Sequence, residues 1–267
     1  MNSTKNELTL LRNATLILEI GSKKVLIDPM LAGKGTYPAF EGAANDLPNP
    51  LIDLPISADE VQKLVNEVDA VFVTHTHPDH WDIKAQEVIP KHKEIYCQPG
   101  DGEKIISQGF TDVTELTSSV EWNGIKVHRT GGQHGFGEVG KLMGKVSGFV
   151  FEIEEDETLY IAGDTRWVEE VEQAMEKYQP TSIVLNAGGA QFTEGVKKGE
   201  AITMTPNDIK SVYDKSPNTR IIAIHMDSLN HCHITRNILK EELSKMNIPD
   251  KVLIPEDGEK IMLRTKK

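Results

Sequence analysis

Residues 70–80 read AVFVTHTHPDH. Ala70 to Val73 form a short continuous apolar run of the kind that makes a strand buried on both faces. The chain then passes at once into three histidines and an aspartate, His75, His77, Asp79 and His80. If the backbone stays extended, alternate residues share a side, so His75 and His77 project together. Pro78 bends the chain and lets Asp79 and His80 face a second position nearby. Imidazole and carboxylate are the donors that zinc, manganese and iron accept. The plain alternative is a turn of surface histidines. Imidazoles packed this closely repel one another on protonation, however, which calls for something that binds or neutralises them.

Outward from this stretch the same arrangement recurs. His134 lies in TGGQHGFG after the expected strand Ile125–Thr130. Asp164 lies in LYIAGDT after Thr158–Ala162, and His225 in RIIAIHMD after Arg220–Ile224. Each is a ligand-type residue placed where an apolar strand stops. A single one would read as a turn cap; the recurrence points to one shared centre.

Strands are also expected at Glu7–Leu11, Ala14–Ile20, Lys24–Asp28, Glu94–Cys97, Ser182–Leu185, Lys251–Ile254 and Lys260–Leu263. Val113–Glu115, Ser119–Trp122 and Ile125–Thr130 read as short antiparallel strands, and Ser147–Glu154 with Thr158–Ala162 as a hairpin about the acidic turn 154–157. Helices are expected at Ala58–Asn66, where Ser57 and Glu60 make a capping box, and at Asp82–Val88, Gly102–Gln108 and Trp167–Tyr178. Two more follow at Thr205–Tyr213, with Pro206 at its first position, and at Thr235–Met246. Residues 29–55, rich in Pro, Gly and Asn, read as a long ordered loop that could cover a pocket or meet a second copy. Gly131–Lys145 reads as a glycine-rich loop. Its GFGEVG at 135–140 fits a dinucleotide fingerprint by spacing, but His134 before it and a poor helix after it argue against that use. With no repeat and no linker, residues 1–267 read as one α/β domain, sheets inside and helices outside.

The net charge of −12, from 29 basic and 41 acidic residues, disfavours a nucleic-acid partner. It leaves room for a small-molecule substrate and a homo-oligomer. No apolar run approaches the roughly eighteen residues of a membrane span, and the N-terminal stretch lacks a signal-peptide layout. Two cysteines without paired spacing, Cys97 and Cys232, fit a reducing cytoplasm.

The chain resembles the metallo-β-lactamase superfamily. The likeness rests on THTHPDH at 74–80, His134, GDT at 163–165, His225 and the upstream VLIDPML at 25–31. GGQHG, YIAGDT and HMDSLNHC at 225–232 suggest the bacterial branch that includes the ascorbate-6-phosphate lactonases. The resemblance implies an αββα sandwich of two mixed sheets flanked by helices. It implies two divalent metals, zinc first, with manganese or iron as alternatives. His75, His77 and His134 would hold the first; Asp79, His80 and His225 the second; Asp164 would bridge them.

Such a pair lowers the pKa of a shared water, and the resulting hydroxide would cleave a small ester, lactone or phosphoester. Asp79 would orient the nucleophile and move its proton. His231, in NHCH, reads as a substrate contact or acid. Asp28 and Asp227 are candidates to steady the imidazoles. Cys232 reads as a small buried filler, Asn186 and Gly188–Gly189 as a tight turn or pocket lining, and His92 and His128 as ordinary residues. Trp81 and Trp167 read as packing. The alternatives are a phosphodiesterase or nuclease on the same scaffold, and a non-hydrolytic metal-binding protein. Redox relatives, however, carry an acidic residue where this chain has His77.

Overall fold

The computed structural model describes residues 6–154, 157–248 and 251–263. Residues 155 and 156 of the expected acidic turn lie outside them. Two seven-stranded sheets form the centre. The first is built from β1 (Glu7–Arg12), β2 (Thr15–Ile20), β3 (Lys23–Ile27), β4 (Ala70–Val73), β5 (Glu94–Cys97), β6 (Val113–Glu115) and β14 (Lys260–Met262), in the order β14-β1-β2-β3-β4-β5-β6. The second comprises β7 (Ser119–Trp122), β8 (Ile125–Thr130), β9 (Gly148–Glu154), β10 (Glu157–Ile161), β11 (Ser182–Asn186), β12 (Arg220–Ile224) and β13 (Val252–Leu253), in the order β13-β12-β11-β10-β9-β8-β7. Each sheet is antiparallel on one side and parallel on the other, so both are mixed.

The period of two along the strands sorts residues between layers. Ala70 and Phe72 of β4 point into the core between the sheets, where Phe72 meets Tyr96, Trp122, Phe149 and Phe151. Val71 and Val73 point outward. They pack with Val61, Leu64 and Val65 of α1 (Ala58–Glu67), Ala85 of α2 (Ile83–Val88) and Ile105 of α3 (Gly102–Ser107). The second sheet is covered in the same way by α5 (Glu169–Tyr178), α6 (Pro206–Lys215) and α7 (Arg236–Lys245). This is the expected αββα sandwich.

Two details differ from the sequence reading. β6 is parallel to β5 and edges the first sheet, because the chain crosses to the second sheet only after Glu115. A helix, α4 (Gly137–Met143), stands within the stretch read as a loop, its Val139 and Met143 buried against Phe192 and Ile202. Burial there outweighs the low helix propensity of Gly137 and Gly140.

The 29–55 loop is ordered by two buried charges. Arg12, fully buried, donates to Ile52 O at 3.0 Å and to Met30 O and Ala32 O at 2.9 Å each. Burial lowers its pKa to about 10, so the guanidinium stays charged at neutral pH. Asp82 accepts from Leu31 N, Ala32 N and the Tyr37 hydroxyl, and also caps α2 through Ala85 N. Further along, Asn230 accepts from Phe40 N and Asn49 Nδ2 and donates to Asn45 O.

An Arg12→Met variant leaves three loop carbonyls without their charged donor. It is expected to cost about 2–3 kcal/mol of unfolding free energy in urea titration. An unchanged midpoint and slope would show that the loop is held by something else.

Candidate metal centre

The two sheets bring the C-terminal ends of β3, β4, β8, β10, β11 and β12 to one edge. The residues at those ends are Asp28, the 75–80 stretch, His134, Asp164, Asn186 and His225. All seven predicted ligands meet there. His75, His77 and His134 form one group, and Asp79, His80, Asp164 and His225 another; within each, the ligand atoms lie within 4.8 Å of one another. Asp164 Oδ2 stands between the groups, 3.4 Å from His134 Nε2 and 3.3 Å from His80 Nε2. Asp79 Oδ2 is 3.4 Å from His225 Nε2.

These side chains fit a metal. Two donors each about 2.0–2.2 Å from one cation stand roughly 3–3.7 Å apart, which matches the separations here. His80 Nε2 and His225 Nε2 are buried and make no hydrogen bond among the described residues, although carboxylate oxygens lie close by. Both ring nitrogens face the space they share with Asp79 and Asp164. A buried polar atom left without a partner is rare and costly unless something else satisfies it.

Burial and mutual charge divide the two groups. Burial, helped by repulsion from neighbouring imidazoles, holds His75 well below its ordinary value and His77 down to about 4. Burial also lowers His134. These three are neutral and ready to donate. In the other group burial opposes charge, but Asp164, Asp28 and Asp79 raise His80 to about 10, and Asp164 and Cys232 raise His225 well above the usual range. Against burial, His80 and His225 hold Asp79 and Asp164 well below the carboxylate range. Without metal, two imidazolium ions neutralise two carboxylates.

The imidazoles are steadied from behind. Asp28 accepts from Thr74 N and Thr74 Oγ1 at 2.7 Å each and faces His80 Nδ1 at 2.8 Å. That is the supporting role expected of it. Asp227 has a different one: it accepts from Arg236 Nη1 and Arg236 N at the start of α7 and touches no ligand histidine. Its backbone turns left-handed there, φ 60°, which aims the side chain away from the centre.

Sequence reasoning missed several supports. Asn186 Nδ2 donates to Asp164 Oδ1 at 2.6 Å, and the polar end of the apolar run SIVLN was the available signal. Ile202 O meets His134 Nδ1 at 2.9 Å, and Asn13 holds the main chain of both Asp79 and His225. Nothing local in the sequence marks these two. Gly135 and Gly140 of GFGEVG serve close packing. Gly135 adopts φ 88°, and a Cβ there would lie 2.7 Å from Ile202 Cγ2, crowding the residue whose carbonyl holds His134.

A cavity of about 210 Å³ opens over both groups. Its floor includes His77, Asp79, His134 and Asp164; Phe40, Phe192, Met143 and Ile202 supply apolar walls. His231 lies in the wall, its ring edge-on to Phe40 at 4.7 Å and its Nδ1 without a hydrogen-bond partner among the described residues. Burial lowers its pKa to about 4. His92 and His128 take no part; His128 lies on β8 beside Glu152 and Tyr178. Trp81 and Trp167 pack into the helix-covered faces.

A family model described as the beta-lactamase superfamily domain matches residues 23–226. The UPF0173 protein YddR of Bacillus subtilis is 40% identical over 255 residues, 94% of this chain and 98% of that one. The crystal structure of a possible metal-dependent hydrolase from Veillonella parvula is 41% identical, with TM-score 0.91 over 97% of this chain and 100% of that one. That of an isothiocyanate hydrolase from Delia radicum gut bacteria is 39% identical, with TM-score 0.89 over 96% and 99%. The chain belongs to the metallo-β-lactamase superfamily and is one of its metal-dependent hydrolases.

Two predictions follow from the charges and the shell. Metal entering the Asp79–His80–Asp164–His225 group must displace the protons of His80 and His225, whose raised pKa values keep them charged at neutral pH. Calorimetry in buffers of different ionisation enthalpy should therefore show proton release, and affinity that weakens as pH falls. Heat independent of the buffer would contradict this charge pattern. Asp28→Ala removes the His80 partner and is expected to weaken metal binding about 10–100-fold, read by competition with a chelating dye.

Proposed function

We propose that this hydrolase carries two divalent cations and adds water to the electrophilic carbon of a small, largely uncharged molecule. The observation that carries the reading is the position of Asp164 Oδ2, shared between two otherwise complete donor groups on the floor of one cavity. When bound, the cations supply an acidified water and polarise the atom under attack. The donor set accepts zinc, and manganese or iron as well.

The chain's own residues do the rest. Asp79 lines the cavity and carries an ionised carboxylate; it orients the water and takes its proton. His231 is neutral at physiological pH, so it serves as a hydrogen-bonding wall for a substrate heteroatom rather than as a charged acid. Phe40, Phe192 and Met143 exclude water around the reacting group.

The cavity is below the roughly 300–1,000 Å³ usual for ligand sites, which argues for a small substrate. Lys197 is the only Lys or Arg among its lining residues, held over the Phe192 ring. A polyanion would find little else to bind, so the nuclease reading is the weaker one. The likeness to an isothiocyanate hydrolase favours a heterocumulene carbon, where water adds across the carbon–nitrogen bond. An ester or lactone carbonyl asks for the same addition and is the second reading. The likeness to ascorbate-6-phosphate lactonases rests on sequence stretches alone. The seven candidate donors lie together within one chain, and the two free cysteines suit a cytoplasmic setting.

The test is turnover of a panel of isothiocyanates, lactones, simple esters and phosphodiesters by the metal-loaded protein. His77→Ala is expected to lower kcat/KM at least about 10²-fold with an unchanged circular dichroism spectrum. Full activity in that variant, or after exhaustive chelation, would refute the metal mechanism. Preference for the phosphodiesters would move the substrate class.

A further inference from the structure

An imidazole offers a lone pair to a cation from one ring nitrogen only when its proton sits on the other, and the partner of that second nitrogen fixes the choice. His75 Nδ1 meets Thr74 Oγ1 at 3.1 Å, His80 Nδ1 meets Asp28 Oδ2 at 2.8 Å, and His134 Nδ1 meets Ile202 O at 2.9 Å. All three partners are oxygens, while His77 Nδ1 meets His75 Nε2 at 2.9 Å inside the cluster. His225 differs: its Nδ1 faces the sulfur of Cys232 at 3.5 Å, while its buried Nε2 points into the cluster with no hydrogen-bond partner.

The sulfur is held in place. Cys232 N donates to Leu229 O at 3.2 Å, and Cys232 pairs with Ala190 in a short antiparallel bridge. Gly188 makes the space for both groups: a Cβ there would lie 2.9 Å from Cys232 Sγ and 2.1 Å from His225 O. On the other side, His225 N donates to Asn13 O at 3.1 Å, and its backbone is left-handed at φ 68°. The main chain is thus fixed by Asn13. Cys232 supplies the hydrogen-bond contact on the outward nitrogen of the ring.

We infer that Cys232 is a positioning residue for the metal centre: its sulfur accepts from His225 Nδ1–H and so keeps Nε2 free and aimed at the cation of the Asp79–His80–Asp164–His225 group. This rests on the proposed two-cation reading. It gives Cys232 a role beyond that of a small buried filler.

The test is calorimetric titration of the metal-free full-length protein with zinc, followed by the visible absorption of cobalt(II) loaded in its place. The wild type is expected to take up two equivalents. Cys232→Ala removes the acceptor and should weaken one equivalent about 10–100-fold, leave the other unchanged and alter the cobalt spectrum. Cys232→Ser keeps an acceptor while losing the sulfur's apolar bulk, and should recover both equivalents. If Cys232→Ala binds both as tightly as the wild type and only melts earlier, the residue is a filler and the inference is wrong. If Ser loses as much as Ala, bulk rather than hydrogen bonding matters, and the inference falls equally. A wild type that takes up only one equivalent overturns the two-cation reading itself, a result separate from either of these.

Discussion

The mutual neutralisation of Asp79, His80, Asp164 and His225 is the interaction on which the rest of this structure turns. Two carboxylates and two imidazoles, all essentially out of water, stand within one cation's reach of each other. Isolated charges so deeply buried would be prohibitive. They become tolerable because each has an opposite charge beside it and because hydrogen-bonding groups outside the cluster hold them in register. Asp28, Asn186 and Asn13 are those groups, and each lies at a strand end or just beyond one. The sheets are therefore a device for delivering side chains to a common edge. Backbone hydrogen bonds set the spacing between strands, the apolar interior sets that between the sheets, and the two together set the distances among the donors.

Much of this could be read from the residues. The hydrophobic runs are short and bounded by Gly, Pro or ligand-type residues, so strand positions fell close to the observed ones; β4, β5 and β12 coincide with the expected ranges. The candidate donors were legible because His and Asp at the ends of apolar strands are chemically out of place. What was not legible depended on partners far away in sequence. The direction of β6 is set by which sheet the chain joins next, and no residue within Val113–Glu115 carries that information. α4 is stabilised by burial of Val139 and Met143 against a distant loop, so its local glycines mislead. Asp227 and Asn186 look alike as polar residues after apolar strands. Only the backbone turn at 225–227 decides that one faces Arg236, while the other reaches Asp164.

The walls of the cavity come largely from loops, with Met143 added from the end of α4. Phe40 belongs to the 29–55 loop, tied down by Arg12, Asp82 and Asn230; Phe192 and Ile202 belong to the stretch after β11. Gly42 O accepts from Thr193 N at 2.8 Å, so the two covering loops are joined to each other above the floor. Chemistry and selectivity are thereby separated in the fold. Reactive groups sit on strand ends that cannot shift without disturbing the core, while the surfaces that would discriminate among substrates sit on loops pinned by individual long-range hydrogen bonds.

The origin of the seven donors has a further consequence. His75, His77, Asp79 and His80 follow a strand of the first sheet, whereas His134, Asp164 and His225 follow strands of the second. Neither half owns a full coordination set. A cation seated here acts as a rivet across the seam between the halves, and it can be captured tightly only once they have docked. Tight loading therefore requires both sheets to be in place, and an occupied site would tie one half of the sandwich to the other.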